Sequence, residues 1–318
     1  MIRMKSLCAL LLALLLSLSV LSACSQSNTT DAPESLPETE DASKGNENTE
    51  STAPNVSKEE SPAQSGVSED SKTSPSPEEQ LPINKTNALE KLKAGYNATM
   101  SANAVRLTGS VSHYQAEKGK GDTVTYPLEF ASCKDANGQF TALLTYGESS
   151  GTVERYYTGN KVYEKRTSKE DNTSSIGTGE GESELTISTT VMQILSSGLS
   201  ITSYENLFTR FCATEYDIEL EDGLYVLSFY GTYTDLARIC MEDEGFAKFE
   251  EQDFESDFDS TSGEMLLYLT EDGYFAGMEA KMAAQSSERS LSSTIKYSFS
   301  DFNGNVTVSA PDWVSSAN

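Results

Sequence analysis

From Val105 onward the sequence alternates. Val105, Leu107, Gly109 and Val111 fall on one side of an extended segment, and Val124, Tyr126, Leu128 and Phe130 fall on one side of the next. The same period of two continues through Phe140 to Tyr146, Val153 to Tyr157 and Lys161 to Arg166. Successive side chains of a strand point to opposite faces, so this pattern predicts strands with one buried face. Turn residues sit at the breaks, as in Asp135-Ala-Asn-Gly138 and Thr158-Gly-Asn160. Two later hairpins carry Asp-Gly, among the strongest short-range hairpin signals. One runs from Tyr216 to Leu220 and from Leu224 to Tyr230 around Glu221-Asp222-Gly223; the other runs from Met265 to Leu269 and from Tyr274 to Met282 around Glu271-Asp272-Gly273. A further strand is predicted over Ser292 to Phe302, then a turn at Asn303-Gly304 and a last strand from Val306 to Val308, stopped by Pro311. Breaks this short leave no room for parallel crossovers, so neighbouring strands pair as antiparallel meanders.

Helical periodicity interrupts this pattern. Leu89, Leu92, Tyr96 and Met100 share a face of a predicted helix over Thr86 to Ala102, capped by Thr86 or Asn87. Ile187, Val191, Ile194 and Leu195 do so over Leu185 to Leu199, and Asn206 to Cys212 adds a helical turn. Thr234 to Phe249 reads as a helix with Thr234 as its cap and Leu236, Ile239, Cys240 and Phe246 inward. Thr167 to Gly181 is polar and rich in Gly and Ser, which predicts an exposed loop. The fold class is therefore α+β: about ten antiparallel strands with two or three helices. A closed barrel would fit, as would a curved antiparallel sheet or half-barrel wrapped over the helices.

The first residues carry an address. Arg3 and Lys5 precede an apolar run from Leu7 to Val20, which is long enough for a signal-peptide core and short for a membrane-spanning helix. Leu21-Ser22-Ala23-Cys24 closes it and resembles the lipobox of bacterial lipoproteins. That resemblance implies cleavage after Ala23 and acylation of Cys24. The competing reading is an ordinary signal peptide with Cys24 incidental. Two acyl chains anchor a protein stably where one is marginal, at about 0.8 kcal/mol per buried methylene. Ser25 follows the cysteine, so the aspartate that often retains lipoproteins at a Gram-negative inner membrane is absent.

Between Ser25 and Ile83 the composition shifts to Ser, Thr, Pro, Glu, Asp and Asn, with no aromatic residue. Such a segment has too little apolar surface to offset its ordering entropy, which predicts a disordered acidic tether. Its root-mean-square span is about 40 Å by square-root scaling. The expected organisation is a signal peptide at 1–23, a tether at 24–83 and one folded domain at 84–318, with sufficient length for a sizeable core. The expected location is outside the cytoplasm, anchored to the membrane, and the long stalk points to a Gram-positive surface.

The folded part resembles the LolA/LppX-like lipoprotein-carrier family and its uncharacterised relatives among Gram-positive lipoproteins. The features that carry this likeness are the helix ending Ala94-Gly-Tyr-Asn-Ala-Thr-Met100, the strand Val105-Arg-Leu-Thr-Gly-Ser-Val111, the central hairpins, and the closing Ile295-Lys-Tyr-Ser-Phe-Ser-Asp-Phe-Asn303 followed by Val306-Thr-Val308 and Ala310-Pro311. The likeness covers most of residues 85–312 as a pattern. It implies a half-open barrel over helices with an apolar cavity for acyl chains. It supplies no ligand-binding signature, so no site residue is carried over.

Motifs for chemistry are few. Gly147-Glu-Ser149-Ser-Gly151 matches a nucleophile elbow, but strands flank it on both sides where a helix must follow. The one histidine, His113, sits in an alternating strand and excludes a His-rich metal site. Cys133, Cys212 and Cys240 match no zinc spacing. They are either small core residues or include one disulfide, with Cys212 and Cys240 the pair to test first. Asp253, Glu255, Asp257, Asp259 and Glu264 fall on ligand positions of an EF-hand-like loop, but Phe258 occupies its glycine position, so a solvated acidic loop is the better reading. The net charge of −26 repels nucleic acid and anionic headgroups. No catalytic residue, metal ligand or cofactor is expected, and the chain is not expected to be an enzyme. Two functions compete. A carrier of a hydrophobic or lipid-linked ligand needs an apolar cavity, whereas an interaction or envelope-structural module has a filled core and a protein partner.

Overall fold

The structure is a computed structural model and describes residues 82–317, apart from Ser197, Gly198 and Gln252, with Leu185 described in its backbone alone. The leader, Cys24 and the acidic segment up to residue 81 lie outside the described residues.

Eleven antiparallel strands form one curved, unclosed sheet. Helix α1 (Ala88–Met100) leads into a first meander: β1 (Ala104–Glu117), β2 (Lys120–Lys134), β3 (Phe140–Glu148), β4 (Gly151–Thr158), β5 (Lys161–Ser168) and β6 (Ser174–Glu180). Helices α2 (Glu184–Ser196) and α3 (Tyr204–Cys212) follow. The second meander contains β7 (Asp217–Glu221), β8 (Leu224–Gly231), β9 (Ser260–Thr270), β10 (Phe275–Gln285) and β11 (Arg289–Ser300), with α4 (Tyr233–Cys240) and α5 (Asp243–Glu250) inserted after β8. The two meanders are sewn together by their outermost members in sequence, because β1 pairs with β11 from Arg106↔Ser300 to Glu117↔Arg289. The spatial order is β6-β5-β4-β3-β2-β1-β11-β10-β9-β8-β7.

Register explains the core. One cross-strand row runs Ser175, Arg166, Val153, Tyr146, Leu128, Gly109, Tyr297, Met278, Leu267, Leu227 and Ile218 across all eleven strands. Its middle members face the helices and are buried: Leu128, Tyr297, Met278, Leu267 and Leu227 are each 3 % exposed or less. Helices α1, α2 and α3 lay Leu92, Ile187, Val191, Leu195, Leu207 and Phe211 onto this face in one continuous core. A smaller apolar cluster under α4 and α5 holds Ala237, Phe249, Phe254 and Ala284.

Local chemistry sets the turns. Asp222 and Gly223 both take positive φ (50° and 79°), as a two-residue type I′ turn demands. Lys118 and Gly119 do the same between β1 and β2. Gly147-Glu-Ser149-Ser-Gly151 is the hairpin between β3 and β4, with Glu148 paired to Gly151. At Gly263 an added Cβ would lie 2.6 Å from Leu236 Cβ and would also strike the Thr232 carbonyl, so only glycine lets α4 seat on β9.

The α+β class and the curved half-barrel sheet are as expected, with eleven strands and five α-helices among the described residues. Several finer expectations are corrected. The stretch read as a loop within Thr167 to Gly181 contains β6, an edge strand whose residues are all exposed. Its alternation is absent because it buries neither face, and only the ladder to β5 holds it. The helix expected over Thr234 to Phe249 is two helices. Met241 and Glu242 are extended between them, and Arg210 Nη1 donates to the Met241 carbonyl there. Its cap is Thr232, in a capping box with Asp235, rather than Thr234. No strand forms over Val306 to Val308. Asn303 instead donates its N–H to the Ala104 carbonyl at 2.9 Å and accepts from the Asn103 N–H at 2.7 Å, folding the chain back on β1.

Replacing Gly263 by alanine is expected to lower stability by about 1–3 kcal/mol through overpacking against α4. The shift in denaturation midpoint measures it.

Candidate functional site

Over its centre the inner face of the sheet is filled by helix side chains, so the larger spaces lie where helices meet. The groove between α1, α2 and α3 has a volume of about 480 Å³, within the range of small-molecule sites. Its floor is apolar and aromatic: Tyr96, Met100, Met192, Ile201, Tyr204 and Phe208. Its rim is polar, with Asn97, Gln193, Thr202 and Ser203, and with Lys93 paired to Glu205 at 2.8 Å. Amphipathic helices build this arrangement directly. Tyr96 and Met100 are one turn apart on α1, as are Tyr204 and Phe208 on α3.

The floor is rigid. Tyr96 stacks on Tyr204 with centroids 5.0 Å apart and planes 13° from parallel, and both meet Phe208 and Phe275 edge-on. Beneath them Tyr297 Oη donates to Tyr204 Oη at 2.9 Å, and Ser196 Oγ lies 3.3 Å from the same hydroxyl. Burial pushes the Tyr96 hydroxyl up to about 12 and raises those of Tyr204 and Tyr297 as well, so all three stay neutral donors. Sequence reasoning found Tyr96 and Met100 as inward positions of α1, but placed the start of α3 at Asn206 and so omitted Tyr204. The signal available was Ser203, whose hydroxyl accepts from the Asn206 N–H as a helix cap.

A second groove of about 460 Å³ lies between α3, α4 and α5 over Phe229, Ile239 and Phe246. Arg210 and Arg238 flank it, and Arg238 lies 4.9 Å above the Phe246 ring. Smaller spaces of about 50 Å³ and about 20 Å³ sit under the two ends of α2.

A polar row breaks the apolar inner face near its open edge. In the row Leu107, Phe130, Leu144, Arg155, Glu164 and Gly177, the apolar members give way to an ion pair and then to glycine. Arg155 Nε and Arg166 Nε donate to the two oxygens of Glu164 at 2.7 Å and 2.6 Å, and Arg166 Nη1 lies 3.6 Å from Glu148. Burial pushes the Glu164 carboxyl up, but the hydrogen bonds from Arg166 and Arg155 outweigh it and hold it below the ordinary range. Tyr157 is buried beside Arg155 on the same face.

The remaining candidate residues do not converge on chemistry. His113 stands on β1 with Nδ1 3.2 Å from Ser293 Oγ and its ring edge-on to Tyr126, and burial lowers its pKa. Cys133, Cys212 and Cys240 are free thiols. Burial raises the Cys212 and Cys240 thiols. The acidic loop does not gather: Glu255 accepts from the Thr234 N–H and the Thr261 hydroxyl, and Asp259 accepts from the Ser287 N–H. Among the described residues no group of three or more His, Cys, Asp or Glu side chains is placed to hold a metal.

Solved structures similar to this chain include LprF from Mycobacterium bovis, at 10 % identity over 71 % of this chain and 97 % of that one, with a TM-score of 0.35. A putative outer membrane lipoprotein-sorting protein domain from Vibrio parahaemolyticus matches at 9 % identity over 73 % and 98 % of the two chains, with a TM-score of 0.21. A LolA superfamily protein from Nitrosomonas europaea matches at 11 % identity over 73 % and 97 %, with a TM-score of 0.20. No family model and no curated protein matches the chain.

One substitution series tests the floor and another tests His113. Tyr204→Phe leaves the buried Tyr297 hydroxyl without its acceptor and is expected to cost about 1–3 kcal/mol, while adding Tyr297→Phe recovers part of that loss. Denaturation of the two single variants and the pair measures the coupling. Because the folded pKa of His113 lies below its ordinary value, its contribution to stability is complete above about pH 6.5 and is lost as pH falls through the folded value. His113→Gln is expected to flatten that part of the stability–pH curve, read by denaturation at several pH values.

Proposed function

We propose that this chain is an exported lipoprotein, acylated at Cys24 and held at the outer side of a membrane, whose domain takes an apolar or amphiphilic ligand in the groove between α1, α2 and α3. The observation that carries this reading is the groove itself: an ordered aromatic and thioether floor with an uncharged polar rim broken only by the Lys93–Glu205 pair. Apolar surface left open in this way favours a ligand that covers it, at about 25 cal/mol per Å². The rim of amide and hydroxyl groups suits a polar head without net charge better than an anionic one. The tether at 24–83 then sets the reach of the domain from the membrane. Gram-positive surface attachment fits the length of that tether.

A second reading has its own support. The inner face of the sheet, where a carrier cavity is expected, is packed with Leu92, Leu107, Leu195 and Phe211, each 1 % exposed or less. A filled interior is what an interaction module predicts.

Native mass spectrometry on the full chain carrying Cys24→Ser, purified without detergent and followed by organic extraction, separates the two. The carrier reading expects a stoichiometric lipid adduct that Met192→Asp, in the groove floor, reduces at least about tenfold in occupancy, or about 1.4 kcal/mol. A clean mass after incubation with membrane lipids removes the carrier reading and leaves the interaction module. In parallel, Cys24→Ser alone is expected to release the chain from the membrane fraction.

A further inference from the structure

The two ends of the sheet are treated differently. Native edge strands are kept from pairing with other chains by shortness, charge, proline or bulges. The β7 edge has such protection. It is five residues long, and Asp217, Glu219 and Glu221 alternate along it. The β6 edge has none. Its seven residues, Ser-Ser-Ile-Gly-Thr-Gly-Glu, contain no proline, pair with β5 without a bulge, and carry one charge, Glu180, at the far end.

The ground beside this edge is also unlike the rest of the molecule. In a chain with a net charge of −26, the stretch 161–169 carries Lys161, Lys165, Arg166 and Lys169 against Glu164 alone. On the inner face the edge positions are small: Ser175 opposite Arg166, Gly177 opposite Glu164 and Gly179 opposite Val162. A Cβ placed on Gly177 would meet no atom within 4 Å. The floor there is open, and it ends on the Arg155, Glu164 and Arg166 row.

We infer that β6 is a docking edge for an extended segment of a partner protein, added as a twelfth strand and carrying an acidic side chain at an inward position over Gly177. Main-chain hydrogen bonds to the free side of β6 supply the affinity, and the inward side chain supplies the selectivity, as in other strand-addition complexes. The glycines leave that side chain room to lie over the sheet and reach Arg166, whose Nη1 is held to Glu148 only at 3.6 Å. The basic stretch on β5 favours an acidic segment over a basic one. This proposal is independent of the groove between the helices.

Fluorescence anisotropy on the full chain tests it with two labelled nonapeptides, each alternating Thr and Val. One has a central Glu and the other a central Lys. The Glu peptide is expected to bind at least about tenfold more tightly than the Lys peptide, or about 1.4 kcal/mol. Gly177→Glu fits the open space and is expected to weaken the Glu peptide at least about tenfold. Gly179→Glu serves as a second block if Gly177→Glu fails to fold. Leu220→Glu on the β7 edge is expected to leave binding unchanged. The proposal is overturned if neither peptide binds at about 1 mM, if the two bind equally, if both glycine variants bind like the parent, or if sedimentation shows that a second copy of the chain already occupies β6.

Discussion

The pairing of β1 with β11 is the contact on which the rest of the molecule depends. It joins residues up to about 190 positions apart, and without it the chain would be two separate meanders. Its inner positions place Leu107, Val111, Ile295, Tyr297 and Phe299 side by side at the centre of the sheet, where α1 and α2 come down. Gly109 lies opposite Tyr297 at that seam, and Gly277 lies opposite Ser298 on the β10 side of the same strand. A Cβ on Gly109 would lie 2.7 Å from Tyr297 Cβ, and one on Gly277 would strike the Tyr297 carbonyl. The Tyr297 side chain therefore fits because its neighbour on β1 has none, while Met278 packs beside it on β10. Closing such a long loop before any of its contacts form makes a slow, high-contact-order folding step.

The open sheet follows from the same arrangement. With the first and last strands consumed at the centre, the edges fall to β6 and β7, at the ends of the two meanders that face the inserted helices in sequence. The helices fill the inner face over the centre and leave β4 to β6 uncovered enough for charge. Arg155 occupies an inward position between Val153 and Tyr157, and it persists there because Glu164 sits opposite and Arg166 completes the pair. A half-buried ion pair of this kind offers little stability compared with apolar packing. Its position beside an unprotected edge makes recognition its more economical explanation.

Most strands were legible because one buried face imposes a period of two on the residues that cover it. That signal vanishes where burial vanishes. Ser174 to Glu180 was read as loop because an edge strand with both faces in solvent has no apolar side to advertise. The break between α4 and α5 was missed for the opposite reason: Leu236, Ile239 and Phe246 keep a helical spacing across it. The acidic run Glu242-Asp243-Glu244 was the available sign of a new helix start. Val306 to Val308 alternates like a strand, but no free strand remains beside β11, whose two neighbours are already β1 and β10.

The groove between α1, α2 and α3 was legible in fragments only. Tyr96 and Met100 follow from the spacing of α1, yet nothing in the sequence sets them against Tyr204, more than a hundred residues later. The sequence by itself determined the strands, the hairpin turns and the apolar face of each helix, because these obey local periodicity and backbone sterics. Tertiary structure alone decided which strands meet at the centre, that the inner face is filled, and where open apolar surface remains. Those outcomes depend on the fit of side chains from distant segments, and a one-dimensional pattern carries no record of that fit.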